Sequence, residues 1–249
     1  MTIRIDIWSD IACPWCRIGK ARFESALARF AHRDEVEVAW HAFILDPDLP
    51  VRYDGTEVEY LIERKGMPRA QVEAMTQQIA RAGAGEGLDF DFDSVVPSSS
   101  LAAHALLKYA EATGADVGAV EDALFDAHFR DGEVIADADV LVRIGAAQRL
   151  DAGAVRAGLT DPTVVRAVQA DLAAAQQIGV SGVPFFVFEQ KYGVSGAQPS
   201  EVFTQALEQV WAEVHPQVGL TPLGEPDAAA CGPDGCAVPT RPDAGAEQS

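Results

Sequence analysis

A short alternating run, Ile3-Arg4-Ile5-Asp6-Ile7-Trp8, delivers the chain into Cys13-Pro14-Trp15-Cys16, and a strand that hands a cysteine to the first turn of a helix leaves few folds open. Pro14 has a fixed φ suited to the first helical position, which puts Cys13 at the N-cap. There, unpaired backbone N–H groups and the helix dipole favour a thiolate. Cys16 follows within one turn and can close a disulfide with Cys13, its own sulfur sitting deeper in the helix. The pair reads as a nucleophile, Cys13, and a resolving thiol, Cys16. The competing reading is half of a zinc site, for which Cys231-Gly232-Pro233-Asp234-Gly235-Cys236 supplies a second pair. A zinc knuckle sits in a tight β-turn, whereas this pair has a strand-to-helix setting. Redox chemistry is therefore expected, and no metal or cofactor is assigned.

The helix predicted over residues 14–30 leads to a second strand over 36–44, and a strand, helix, strand unit closes with parallel strands. The carboxyl end of that second strand then shares an edge with Cys13, where α/β proteins bind ligands. His41 and Phe43 lie on one face of it, Trp40 and Ala42 on the other. From Asp46-Pro47 to Ile178 the periodicity is helical: Leu101, His104 and Leu107 mark one helix, Val120, Leu124 and Phe125 another, Val140, Leu141 and Ile144 a third. Asp161 and Pro162 form a cap and first position for a fourth. Gly83, Gly85 and Gly87 read as a flexible break. Pro184 then stands at the mouth of an apolar strand, Phe185-Phe186-Val187-Phe188, where it removes no interior ladder bond. Residues 191–195 form its hairpin partner, followed by a helix over 199–214 with Val202, Leu207, Val210 and Trp211 on its buried face. Six prolines from Pro216 to Pro242 break all periodicity beyond it, so 216–249 reads as a flexible tail.

Together, Cys13-Pro14-Trp15-Cys16 and the loop ending Gly182-Val183-Pro184 resemble the active-site motif and cis-proline loop of the thioredoxin superfamily. The long helical stretch between them resembles the DsbA family. The segment Tyr192-Gly193-Val194-Ser195-Gly196-Ala197-Gln198-Pro199 and an N-terminus without an export signal are most similar to the FrnE-like cytoplasmic branch. The resemblance implies an α/β thioredoxin fold in two pieces, 1–46 and 177–215, with an inserted helical domain over 47–176 and the tail over 216–249. It also implies that Val183 and Pro184, joined by a cis bond, align a substrate beside the sulfurs. Pro14, Trp15 and His41 join them as candidate substrate-binding residues. Trp15 is either a surface aromatic packed beside the site or an apolar platform for unfolded peptide. His41 is either a partly buried strand residue or a group that tunes Cys13. His104 reads as a packing or surface residue, and His32, His128 and His215 have no suggestive context.

Composition narrows the chemistry. A net charge of −19 over 249 residues repels phosphate backbones, so nucleic acid is not an expected partner. No apolar run reaches the roughly 20 residues that span a bilayer, so no membrane role is expected and the location reads as cytoplasmic. In a reducing compartment structural disulfides are rare, which leaves redox or metal roles for two local cysteine pairs. The expected activity is protein disulfide oxidase or isomerase chemistry on protein or low-molecular-weight thiols and disulfides, with Cys231 and Cys236 as a second redox pair. One rival is a glutathione-dependent isomerase or transferase of the 2-hydroxychromene-2-carboxylate isomerase or kappa-class type, whose members usually carry serine at the position of Cys13. The other is a protein that collects metal on all four cysteines.

Overall fold

β1 (Ile3–Ser9) leads into α1 (Pro14–Arg29), and after a 3-10 turn at Arg33–Glu35 the chain forms β2 (Val36–Ala42) in the computed structural model, which describes residues 2–216. Then come α2 (Glu57–Lys65), α3 (Arg69–Gly85), α4 (Leu101–Ala112), α5 (Val117–Phe129), α6 (Ala138–Ala147), α7 (Ala152–Gly158) and α8 (Pro162–Gln177). The chain returns through β3 (Phe185–Phe188) and β4 (Tyr192–Ser195) to α9 (Ser200–Val214). The sheet order is β2-β1-β3-β4, with β1 and β2 parallel, Ile3 opposite Val36, and the other pairs antiparallel. This is the thioredoxin-like architecture, with α2 to α8 set between β2 and β3. The expected tail, with Cys231 and Cys236, lies outside the described residues.

Alternation along β1 supplies both faces of the sheet. Ile3, Ile5 and Ile7 are fully buried with Phe23 and Ala26 of α1, Phe186 and Phe188 of β3, and Phe203, Leu207 and Val210 of α9. Phe23 stacks obliquely on Phe186 at 5.5 Å and meets Phe203 edge-on at 5.8 Å. Each such side chain contributes about 1.5–3 kcal/mol of burial, so this layer anchors α1 and the cysteines at its start. A second core, among the helices, takes in Ile11, Cys13 and Cys16 with Leu106, Leu124, Phe125 and Leu141.

The other face of β1 carries Asp6 and Trp8, and it is clamped by charge. His41 of β2 places Nδ1 at 2.8 Å from Asp171 of α8 and Nε2 at 2.8 Å from Asp6. Two carboxylates at the two ring nitrogens require both to donate, so the ring is held as imidazolium. Burial works against that charge, but the hydrogen bonds to Asp171 and Asp6 outweigh it and raise the His41 pKa above its ordinary 6.5. Burial likewise opposes ionisation of Asp6 and Asp171, yet their bonds to Arg4, His41 and Lys108 hold both below the usual 3.8. Lys108 of α4 completes the clamp on Asp171 Oδ2 at 2.8 Å and the Trp40 carbonyl at 2.9 Å. The His41 contribution is present below pH 6.5 and fades as pH rises through its folded value, while the aspartates contribute above pH 3.8. His41→Gln should therefore lower the melting temperature most between these two values, and the deficit should shrink at higher pH. A deficit that grows with rising pH in thermal melts would contradict this.

Several boundaries differ from expectation for identifiable reasons. β2 ends at Ala42 because the Leu45 amide is taken by the Asp10 carboxylate at 2.7 Å, one residue pair beyond the last ladder bond from Phe43 N–H to the Ser9 carbonyl. Gly83 and Gly85 belong to α3 rather than to a break; a Cβ on Gly83 would stand 2.2 Å from the Phe90 ring, so that glycine is a packing site. The turn is made by Gly87, at φ 76°. On α9 the inward aromatic is Phe203, while Val202 is half-buried.

Candidate active site

Cys13 occupies the N-cap of α1 with extended backbone, φ −106° and ψ 110°, and Pro14 takes the first helical turn. Its N–H donates to the Asp10 carbonyl at 2.9 Å, and the Cys16 N–H donates to the Cys13 carbonyl at 3.0 Å. This turn fixes the two sulfurs on one side of the helix start. Both thiols are unlinked; Cys13 is 6% exposed and Cys16 1%. The Asp10 N–H points at Cys16 Sγ at 3.5 Å. Burial, and then the neighbouring Cys13, push the Cys16 thiol well above the usual cysteine value.

The Val183–Pro184 bond is cis, and the Val183 carbonyl lies 3.8 Å from Cys13 Sγ as acceptor for the thiol. The proline approaches α1 closely, because a Cβ on Gly19 would stand 2.7 Å from Pro184 Cγ. Glycine at position 19 is what lets the loop reach the cysteines.

Beneath the turn lies Asp10, 1% exposed. Its Oδ1 accepts from the Ala12 N–H at 3.1 Å and its Oδ2 from the Leu45 N–H at 2.7 Å. Burial opposes its ionisation, but hydrogen bonds from His104, Ser100 and Leu45 hold the carboxyl below the usual range. Asp10 thus ties the cysteine turn to the segment after β2 and to the start of α4.

A cleft of about 310 Å³ opens from Cys13, Pro14 and Trp15 towards α2 and α3. Leu49, Leu61, Ile79 and Phe92 make its walls mainly apolar. Asp46 sits at its edge, paired with Lys65 Nζ at 2.9 Å and with the Tyr60 hydroxyl at 2.7 Å. Burial pushes the Glu57 carboxyl up to about 7. His128 of α5, 2% exposed, closes the floor, and burial lowers it to about 4.

Elsewhere, α1 is bound to α5 by charge. Arg17 pairs with Asp122 and Asp126, and Lys20 bonds Asp122 at 2.5 Å and the Gly118 carbonyl at 3.1 Å. Glu121, fully buried beside this network, is pushed up to about 7 by burial with Lys20 opposing.

Of the residues singled out in the sequence, Cys13, Cys16, Pro14, Trp15, Val183 and Pro184 gather here, with Trp15 half-buried on the cleft wall. His41 does not line the cleft; it sits in the clamp on the sheet face, stacked on Trp8 at 4.5 Å. Cys231 and Cys236 are outside the described residues. Asp10, Ser98, Ser100 and His128 were not singled out as site residues, and only Asp10, three residues before Cys13, had a positional signal. Among the described residues no group of three or more His, Cys, Asp and Glu could hold a metal ion, and no helix is long and apolar enough to cross a membrane.

Residues 4–208 match the family model described as a DSBA-like thioredoxin domain. A crystal structure of a probable DsbA oxidoreductase from Streptomyces coelicolor is 45% identical, with a TM-score of 0.79 over 96% of this chain and 100% of that one. The uncharacterized protein YwbO of Bacillus subtilis is 25% identical, covering 83% of this chain and 96% of its own. The cytosolic disulfide reductase DsbM of Pseudomonas aeruginosa, solved with GSH, shares the fold at 19% identity and a TM-score of 0.60, over 83% of this chain and 98% of that one.

Proposed function

The chain belongs to the DsbA-like thioredoxin domain family, and from that premise we propose that it is a thiol–disulfide oxidoreductase working through Cys13 and Cys16. The observation that carries the reading is a cleft-facing thiol at a helix N-terminus with a second, more deeply buried thiol one turn behind it. The Cys13 thiolate attacks one sulfur of a substrate disulfide, forming a Cys13–substrate bond and expelling the other half as a thiolate. Cys16 then gives up its proton, attacks Cys13 Sγ and expels the second substrate thiolate. Two electrons pass to the substrate, and Cys13–Cys16 becomes the disulfide; run backwards, the same steps oxidise a substrate dithiol. The raised Cys16 value keeps that thiol protonated, and so idle, until the mixed disulfide brings it a target.

Val183 and Pro184 align the substrate beside Cys13, supported by the 3.8 Å approach of the Val183 carbonyl to Cys13 Sγ. Substrates are protein or low-molecular-weight thiols and disulfides, and the setting is a reducing, cytoplasmic one, where a local cysteine pair serves as a redox couple rather than a staple. An enzyme of the 2-hydroxychromene-2-carboxylate isomerase or kappa-class glutathione-transferase type needs no Cys16, so the presence of both cysteines favours dithiol chemistry. The tail pair Cys231 and Cys236 is read as a second couple that exchanges with the first. Equilibrating the full chain in thiol buffers of graded potential, then alkylating and mapping each cysteine by mass, tests both claims. A reversible Cys13–Cys16 disulfide and a second reversible couple at Cys231–Cys236 are expected. Absence of the first at every potential refutes the function, and absence of the second refutes the tail couple alone.

A further inference from the structure

Glu57, Tyr60, Leu61 and Lys65 stand at i, i+3, i+4 and i+8 on α2, one face of the helix, and all four line the cleft that Cys13 also lines. Hydrogen bonds hold that face against the cysteine turn. The Cys13 N–H donates to the Asp10 carbonyl at 2.9 Å, and the Asp10 carboxylate accepts from the Leu45 N–H at 2.7 Å. The carboxylate of the next residue, Asp46, accepts from the Tyr60 hydroxyl at 2.7 Å. Tyr60 lies one turn from Glu57, so the position of Glu57 on the wall is tied to that of Cys13.

Charge on the walls is one-sided. Lys65 is the one Lys or Arg among the lining residues, and its ammonium is already held by Asp46 at 2.9 Å. Asp10 is 1% exposed and taken up by the Ala12 and Leu45 N–H groups and by His104. Glu57 has no such partner: it forms no hydrogen bond or ion pair with any described residue, it is half-buried, and neither of its oxygens is shut away from solvent. A carboxylate left single in a mainly apolar cleft attracts a cation and repels an anion, the more strongly for being partly out of water. With a volume of about 310 Å³ the cleft lies at the small end of small-molecule sites, so a ligand whose sulfur meets Cys13 carries its substituents along these same walls.

Building on the oxidoreductase reading, we infer that Glu57 is a specificity-determining residue of the cleft, selecting a low-molecular-weight disulfide that carries an ammonium group a few bonds from its sulfur and turning away one that carries a carboxylate there. The ammonium supplies the counter-charge that the walls withhold from Glu57. Cys13 and Cys16 perform the exchange, and Glu57 takes no part in electron transfer.

The test sets three symmetrical disulfides of similar length against the full chain: cystamine, which offers ammonium groups, bis(2-hydroxyethyl) disulfide, which offers hydroxyls, and dithiodiglycolic acid, which offers carboxylates. The readout is kcat/KM for each compound in a variant divided by that in wild type, so that the compounds' own reactivities cancel. In Glu57→Gln this ratio should fall by about three- to tenfold for cystamine relative to the neutral compound, mainly through KM, and should rise for dithiodiglycolic acid. Glu63→Gln, which removes the same charge from the exposed side of α2, should shift neither. The wild-type preference for cystamine over the neutral compound should also grow from pH 6 to pH 8, as Glu57 ionises near 7, and in Glu57→Gln it should stay flat. Around Glu57, Asp10 and Asp46 are held below the usual carboxylate range, Tyr60 is pushed above the usual phenol range, and burial keeps His128 neutral with a value of about 4. Lys65 is paired, and Cys13 is common to all three reactions. The same fall in Glu63→Gln as in Glu57→Gln, or no fall in either, would overturn the assignment of Glu57 while leaving the oxidoreductase reading intact. A wild-type protein that exchanges with none of the three would overturn both.

Discussion

Cys13→Ser is expected to abolish disulfide exchange, leaving turnover at the uncatalysed rate, while Cys16→Ser completes the first step and stops there as a mixed disulfide. The asymmetry follows from position. Cys13 stands at the α1 N-cap on the cleft wall, and Cys16 is 1% exposed behind it with its thiol held well above the usual cysteine value. A substrate sulfur entering the cleft meets Cys13 first. Without Cys16 nothing attacks the Cys13–substrate bond from within the protein, so the adduct persists. Intact-protein mass and peptide mapping after reaction with a small disulfide read this out. An adduct that accumulates on Cys16 in Cys13→Ser, with none forming on Cys13 in Cys16→Ser, would reverse the assignment.

Lys20→Met should destabilise the protein by about 1–3 kcal/mol, the cost of leaving the groups bonded to a buried ammonium without their partner. Lys20 is 1% exposed on α1; its ammonium bonds Glu24 at 2.8 Å, Asp122 at 2.5 Å and the Gly118 carbonyl at 3.1 Å, and lies 5.5 Å over the Trp40 ring. Glu121 is buried beside it with a carboxyl pushed up to about 7 from 4.5, burial acting first and Lys20 opposing. A raised carboxyl stabilises the fold below its unfolded value, and that contribution is lost as pH rises through about 7. The Met variant therefore suffers more at pH 8 than at pH 5, where Glu121 carries its proton. Urea unfolding at the two pH values measures the difference. A loss below about 1 kcal/mol, the range of exposed ion pairs, would show that the network carries no such weight.

Local rules account for what could be read without coordinates. The strand before Cys13, the helix opened by Pro14, the cap at Asp161 and Pro162 and the place of Pro184 before β3 all depend on residues within one or two turns of each other. Those signals survive in the chain itself and placed both thiols at a helix start, while the fold class came from the resemblance carried by Cys13-Pro14-Trp15-Cys16 and Gly182-Val183-Pro184. His41 shows where local reading stops. Its strand position was correct, but paired with Trp8 on β1 it faces α8, where Asp171 captures it 130 residues away in sequence.

The sequence by itself therefore determined that Cys13 and Cys16 stand at the start of a helix behind a strand, because helix capping, strand alternation and proline geometry act between near neighbours. Only the tertiary structure decided the rest of the site. Lys20 meets Gly118 across 98 residues, and His104 meets the Phe43 carbonyl across 61. Asp10 takes its place under the cysteine turn from the Leu45 N–H, 35 residues on, and from His104 on α4. Burial and pairing of this kind are properties of packed neighbours, and no spacing along the chain encodes them.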